Sequence, residues 1–419
     1  MRVIGKINLK GDKSISHRAL ILASICKGES SILNLPYSQD IQSTINCLRK
    51  TGIDIINKRG ITYVKGGQFI PPKENLHCNN SGTTMRLLAG LYSSRKIPVR
   101  LIGDKSLSNR PMKRIIEPLL EMGIKIESKN FNAPLILSKF NPRPIDYSIP
   151  IASAQVKSSL ILASMSMNEK CIIRQKTATR DHLELMIDSI SKNAIRYTKN
   201  QVVINPNADK LLDPFKLVIP GDISSASYFI ALAVLLKGSK LEIENLLLNP
   251  HRTGFIETLI SMGADIEILD IDKNNNEKVG KVIVKGGPTL NPCTILNEDI
   301  PKMIDEIPIL ALVCSYINGV SKIKGLKELR YKESDRLSGI YHILKAMGVE
   351  VSLDDGDSME IKGSINLYNT NKLDNCNDHR LALMISCLQI LSSSKINFDN
   401  CINVSFPDFK DLIKKILVA

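Results

Sequence analysis

Gly11-Asp12-Lys13-Ser14-Ile15-Ser16-His17-Arg18-Ala19-Leu20-Ile21-Leu22-Ala23 opens on a short polar cluster and runs straight into an apolar, helix-like segment. An aspartate at a helix start accepts hydrogen bonds from the first backbone N–H groups, and a helix apolar on nearly every side must be buried on every side. Five later stretches repeat the pattern. Asn80-Ser81-Gly82-Thr83-Thr84 precedes Leu87-Leu88-Ala89-Gly90-Leu91, Ser153-Ala154-Gln155 precedes Leu160-Ile161-Leu162-Ala163, and Gly221-Asp222-Ile223-Ser224-Ser225 precedes Tyr228-Phe229-Ile230-Ala231-Leu232-Ala233. Asp305-Glu306 and Asp378-His379-Arg380 complete the set. From Asp12 through Ser81, Ser153, Asp222 and Asp305 to Asp378 the steps are 69, 72, 69, 83 and 73 residues. A period near seventy is the frame of the chain.

Each opening is followed by a second, amphipathic helix that ends in a left-handed stop and runs into an alternating strand. The stops are expected at Gly52, Gly123, Asn193, Gly263 and Gly348, where Gly or Asn supplies the positive φ that closes a helix. The last repeat ends on its second helix, 408–419, so its strand must come from elsewhere; Val3-Ile4-Gly5-Lys6-Ile7-Asn8-Leu9 is the candidate donor. With the chain crossing near Gly11-Asp12 and again near Pro220-Gly221-Asp222, residues 12–221 form one lobe and residues 1–11 with 222–419 the other, three repeats in each. The expected fold class is α/β: two similar lobes of small mixed layers, one helix inside and one outside, joined by a two-stranded hinge.

A length of 419 residues, 43% of them hydrophobic, exceeds what one core usually supports and agrees with two lobes. Lys+Arg 56 against Asp+Glu 42 gives +14, which attracts nucleic acid, an acidic membrane surface or small phosphorylated metabolites. Nucleic acid fits poorly: the chain has no Trp, 5% aromatic residues, and no basic stripe interleaved with stacking rings. No apolar stretch approaches the roughly 20 residues of a membrane span, and charges at Arg2 and Lys6 leave no room for a signal-peptide core. Nine scattered cysteines without a C-x-x-C pair point to reduced thiols in a cytoplasmic protein, with no metal site expected.

Helix starts collect unpaired N–H groups and partial positive charge, which makes them anion sites. Lys13, Arg18, Arg86, Arg110, Arg180, Arg252, Lys332, Arg336 and Arg380 fall at or beside these starts. Guanidinium forks suit bidentate capture of carboxylate and phosphate. If the starts converge on the gap between the lobes, small polyanions bind there.

The string from Gly11 to Leu20, with Asn80-Ser81-Gly82-Thr83-Thr84-Met85-Arg86, Ser153-Ala154-Gln155-Val156-Lys157-Ser158 and Leu329-Arg330-Tyr331-Lys332-Glu333-Ser334-Asp335-Arg336, closely resembles the EPSP synthases, the 3-phosphoshikimate 1-carboxyvinyltransferases. Asp378-His379-Arg380 and Ser405-Phe406-Pro407 resemble later motifs of that family, so the likeness runs from about residue 5 to 415. It implies two lobes of three βαβαββ units each, an inverse α/β barrel-like arrangement with buried central helices. It also implies transfer of the enolpyruvyl group of phosphoenolpyruvate to the 5-hydroxyl of shikimate 3-phosphate, with release of phosphate, by a monomer needing no cofactor.

Carried over by position, the resemblance implies that Lys13, Ser14, Arg18, Ser153, Ala154, Gln155, Arg180, Asp305 and Lys332 hold shikimate 3-phosphate. Phosphoenolpyruvate would meet Lys13, Gly82, Arg110, Gln155, Arg336 and Arg380. Asp305 is expected to take the hydroxyl proton and Glu333 to serve the methylene carbon, with Lys13 neutralising the bridging oxygen and His379 assisting. One departure is Val404, where some members of the family carry a Lys. The sister transferase acting on UDP-N-acetylglucosamine is the nearest alternative. It carries a reactive Cys in a loop matching the region of Gly103 to Arg110, and this chain has no Cys between Cys78 and Cys171.

Overall fold

In the computed structural model, which describes residues 1–354, 357–364 and 373–418, the opening stretch forms the helix Lys13–Ile25. Asp12 caps it, its Oδ1 accepting from Ile15 N at 2.9 Å, and every residue from Ile15 to Ile25 is buried. Buried hydroxyls are satisfied within the helix itself: Ser16 Oγ donates to Asp12 O and Ser24 Oγ to Ile21 O. Such back-bonding lets serine enter a core without an orphaned polar atom.

Five more interior helices follow: Gly82–Arg95, Ala154–Ser164, Ile223–Leu235, Ile307–Ser315 and His379–Leu391. Ser81, Ser153, Asp222 and Asp378 cap four of them through their side chains. The Asp305-Glu306 opening breaks the rule. Glu306 occupies the cap position of Ile307–Ser315 without bonding its N–H groups, because its carboxylate accepts from Ser224 Oγ and faces Arg380.

The chain divides into two compact units. The first comprises Met1–Leu9, Pro220–Asp272 and Lys278–Ala419, the second Lys10–Ile219 together with Lys273–Glu277.

Three four-stranded sheets build the second unit, each a parallel pair followed by two antiparallel strands. Their orders are Lys216–Val218, Gly28–Leu33, Ile61–Gly66, Asp54–Lys58; then Leu76–His77, Val99–Ile102, Asn132–Phe140, Ile124–Lys129; then Asp146–Ile149, Cys171–Gln175, Gln201–Ile204, Ile195–Thr198. A parallel pair needs a crossover, and in the last two sheets the interior helix supplies it. Two interior helices, Gly82–Arg95 and Ala154–Ser164, meet with almost no gap: a Cβ on Gly90 would lie 2.1 Å from Ser159 O, and Ser159 Oγ donates to Arg86 O at 2.8 Å. Only glycine permits that approach.

The first unit contains the sheet Thr294–Ile295, Gly319–Ile323, Met359–Gly363, Glu350–Leu353, in the same order of parallel and antiparallel pairs. Its other sheet runs Asp265–Asn274, Glu277–Lys285, Lys240–Leu247, Arg2–Asn8, Leu417–Val418. The N-terminal strand lies parallel to Lys240–Leu247 over Ile4↔Lys240 to Asn8↔Glu244, and meets the chain end only through Arg2↔Val418 and Val3↔Leu417. The final helix, Phe409–Ile416, is thus followed by a short strand of its own that the sequence pattern did not show. Phe229, Phe406 and Phe409 pack ring against ring in this unit's core, with centroids 5.6 to 5.8 Å apart, so Phe406 of the Ser405-Phe406-Pro407 motif is a packing residue.

Helix stops behave as expected at Gly52, Gly123, Gly263 and Gly348, all with φ between +79° and +99°. Asn193 does not. The helix His182–Ile190 ends on Ser191 in extended conformation, φ −150°, and needs no left-handed residue.

Candidate active site

In the second unit most of the candidate side chains lie at three interior-helix N-termini, with Arg110 and Arg180 in loops. Lys13 is the first residue of its helix, and its Nζ meets Asp40 Oδ2 at 2.6 Å. Asp40 sits in the first turn of the helix Gln39–Lys50, where the helix dipole favours an anion. One turn beyond Lys13, Arg18 is 2% exposed and spans two helices: it donates to Ser14 O at 2.9 Å, to Ser158 Oγ at 2.9 and 3.2 Å, and to Ala154 O at 3.4 Å. Arg180, in the segment between Cys171–Gln175 and the helix His182–Ile190, reaches Ser14 Oγ at 3.5 Å.

Gly82 opens the next helix, and a Cβ there would lie 2.7 Å from Arg86 Nη1 and 3.4 Å from Arg110 Nη1. Arg110 is buried and donates to Asn80 Oδ1 and Ser106 Oγ. Gln155 joins the third helix to the second: its Oε1 accepts from Arg86 Nη1 at 2.7 Å and its Nε2 donates to Thr83 Oγ1 at 2.9 Å. Lys13, Ser14, Arg18, Gly82, Arg110, Ala154, Gln155 and Arg180 are therefore stitched into one basic surface, with Ser153 behind it as the cap.

Beneath that surface His17 is buried, its Nδ1 2.7 Å from Thr44 Oγ1, which lies 2.8 Å from Thr84 Oγ1; Thr84 in turn donates to Ser81 Oγ. Burial pushes the imidazole pKa down to about 3, opposed by Asp40 and assisted by Lys13 and Arg18, so it is neutral at physiological pH.

Carboxylates and guanidinium groups alternate in the first unit. Arg336, 1% exposed, binds Asp378 Oδ2 through Nε at 2.8 Å, Glu333 Oε2 through Nη2, and approaches Asp305 Oδ1 at 3.6 Å. Lys332 Nζ donates to Asp305 Oδ1 at 3.2 Å. Burial alone would drive the Arg336 pKa down, yet Asp378 and Glu333 outweigh it and carry it above its ordinary value. Asp378 mirrors this: burial raises its pKa, but Arg336 overcomes that and holds it below the carboxylate range. Its other oxygen caps Arg380 N at 2.8 Å, and His379 is buried at the same helix start. Arg380 Nη1 lies 3.9 Å from Glu306, whose carboxylate also takes Ser224 Oγ, itself bonded by Arg252 Nη2 at 3.0 Å.

Asp305, Lys332, Glu333, Arg336, His379 and Arg380 thus share one unit, and the remaining candidate residues share the other. Sequence reasoning missed Asp40, Glu306 and Asp378 as charge partners, having read Asp378 and Glu306 as possible caps. Arg86 was legible as a cation in the Gly82 motif but received no site role. Val404, where a Lys was absent, ends a short 3-10 turn and is half-buried.

The family description EPSP synthase (3-phosphoshikimate 1-carboxyvinyltransferase) matches residues 1–413. The chain belongs to the EPSP synthase family. Relatives named 3-phosphoshikimate 1-carboxyvinyltransferase include that of Caldicellulosiruptor bescii, 39% identical over 96% of this chain and 94% of its own, and that of Petrotoga mobilis, 39% identical over 98% and 96%. The solved EPSP synthase of Acinetobacter baumannii superposes with a TM-score of 0.86 at 30% identity, covering 99% of this chain and 96% of that one. The enolpyruvyl transferase NikO from Streptomyces tendae, at 15% identity and a TM-score of 0.74, shares the fold. EPSP synthase activity, enolpyruvyl transfer from phosphoenolpyruvate in the shikimate pathway toward aromatic amino acids, is accordingly the activity of this chain. Among the described residues no helix is long and apolar enough to cross a membrane.

Proposed function

We propose that the basic surface of one unit and the acid–base cluster of the other serve a single reaction, in which the 5-hydroxyl of shikimate 3-phosphate attacks C2 of phosphoenolpyruvate. The observation that carries this reading is the pairing of Asp305 with Lys332 and Arg336, beside Glu333 on the same Arg336. Two carboxylates gathered on one guanidinium can divide the acid and base work of the reaction between them. Asp305, which accepts from Lys332 Nζ, is assigned to take the hydroxyl proton. Glu333, once protonated, delivers its proton to the methylene carbon as the C2–O bond forms. In the second step the C–O bond to phosphate breaks, Asp305 gives its proton to the departing phosphate oxygen and a methyl proton returns to Glu333, so acid and base exchange roles. Lys13 balances the charge that gathers on the departing phosphate, with His379 supporting the Asp378–Arg336 side.

Shikimate 3-phosphate is assigned to Lys13, Ser14, Arg18, Ser153, Ala154, Gln155, Arg180, Asp305 and Lys332. Phosphoenolpyruvate is assigned to Lys13, Gly82, Arg110, Gln155, Arg336 and Arg380, with Arg86 added because it lies against Gly82 and Gln155. On the same reading the units are lobes of three βαβαββ repeats, joined where the chain passes between them. The protein acts as a cytoplasmic monomer, without nucleic-acid or membrane partners. Phosphate release from phosphoenolpyruvate should depend wholly on added shikimate 3-phosphate; equal release without it, or with UDP-N-acetylglucosamine in its place, overturns the proposal.

A further inference from the structure

Lys157 and Glu184 form an ion pair at 2.7 Å in which both side chains are 2% exposed, and neither belongs to the substrate contacts assigned above. Lys157 lies one turn into the helix Ala154–Ser164, next to Ser158, which receives two donors from Arg18. Its ammonium also donates to Thr179 O at 3.3 Å. Thr179 immediately precedes Arg180, and Glu184 follows it by four residues in the helix His182–Ile190. One ammonium therefore grips the chain on both sides of Arg180. From the opposite direction Thr179 Oγ1 donates to Gln175 Oε1 at 2.8 Å, and Gln175 Nε2 donates to Lys199 O at 2.7 Å.

Burying a lysine with a glutamate is a poor way to stabilise a fold. The charges lose their hydration, the attraction between them returns it only in good geometry, and an apolar pair of similar volume is often as stable or more so. An apolar pair, however, cannot direct a donor at a backbone carbonyl while holding a second element. Arg180 stands in a stretch without regular secondary structure, and a flexible cation must lose its freedom when the ligand binds.

We infer that Lys157 and Glu184 are positioning residues: a buried strut that sets Arg180 at a fixed distance from the Ser153-Ala154-Gln155 helix start and so pre-forms the shikimate 3-phosphate side of the site. The inference rests on the assignment of Arg180 to that substrate. Its test is the double variant Lys157→Met with Glu184→Met, which removes both charges and keeps the volume, beside the single variant Arg180→Ala. The double variant should melt within a few degrees of the parent, raise KM for shikimate 3-phosphate about tenfold, and leave KM for phosphoenolpyruvate within about threefold. A folded double variant with KM for shikimate 3-phosphate unchanged, or with both KM values raised alike, overturns the strut. Arg180→Ala with unchanged KM for shikimate 3-phosphate instead overturns the assignment beneath it. Should the methionine pair fail to fold, Lys157→Leu with Glu184→Leu is read by the same split.

Discussion

On the proposed assignment Arg110 and Asp305 each contribute a single charge whose removal is directly measurable. Arg110→Ala should raise KM for phosphoenolpyruvate by about 10- to 100-fold, the worth of a charge-assisted hydrogen bond, and change KM for shikimate 3-phosphate far less; steady-state kinetics with each substrate varied in turn checks the split. Asp305→Asn and Glu333→Gln should each lower kcat by about 10²- to 10⁴-fold while calorimetry still detects shikimate 3-phosphate binding. His17 supplies a pH prediction. Its pKa falls to about 3 in the folded state from an ordinary 6.5, so between those values the unfolded chain binds a proton that the folded one refuses. Stability therefore drops on acidification through that window, by up to about 1.4 kcal/mol per pH unit, and His17→Gln should flatten melting temperature against pH there. Lys13 and Gly82 stand out in the sequence as candidates because each sits in a local motif at a helix start. Asp40 does not, since nothing in the chain near it signals that its carboxylate meets an ammonium 27 residues earlier.

Interior helices were the most readable elements, because a run apolar on every side admits one environment. Their caps were readable at Asp12, Ser81, Ser153, Asp222 and Asp378, where the carboxylate or hydroxyl has backbone N–H groups within its own turn. Asp305-Glu306 misled for the opposite reason: distant serine, lysine and arginine side chains claim those carboxylates. Close helix packing was also invisible, because Gly90 looks like any glycine in an apolar run until Ser159 O is placed against it. Gly90→Ala should cost about 3 kcal/mol in denaturant unfolding, since the obstructing atom is backbone and cannot swing away. Gly82→Ala meets only the ends of arginine side chains, so it should leave the melting temperature nearly unchanged and raise KM for phosphoenolpyruvate severalfold.

Two units and a net charge of +14 act at the scale of the whole molecule. Both substrates are polyanions, so raising salt from about 50 to 300 mM should increase both KM values more than it changes kcat. Arg180 and Lys332 lie in different units, yet if one substrate spans both, either one changed to Ala should raise KM for shikimate 3-phosphate; an effect confined to one unit would contradict the shared reaction. The seventy-residue period, the alternation of interior and outer helices and the placing of cations at helix starts were settled by local pattern alone, since capping, burial periodicity and helix dipoles act within a turn or two of chain. The parallel pairing of the N-terminal strand with Lys240–Leu247, the grouping of Lys273–Glu277 with the second unit and the partners of the buried charges were decided only by tertiary structure, because burial forces each polar group to find a partner wherever folding brings one, whatever its distance along the sequence.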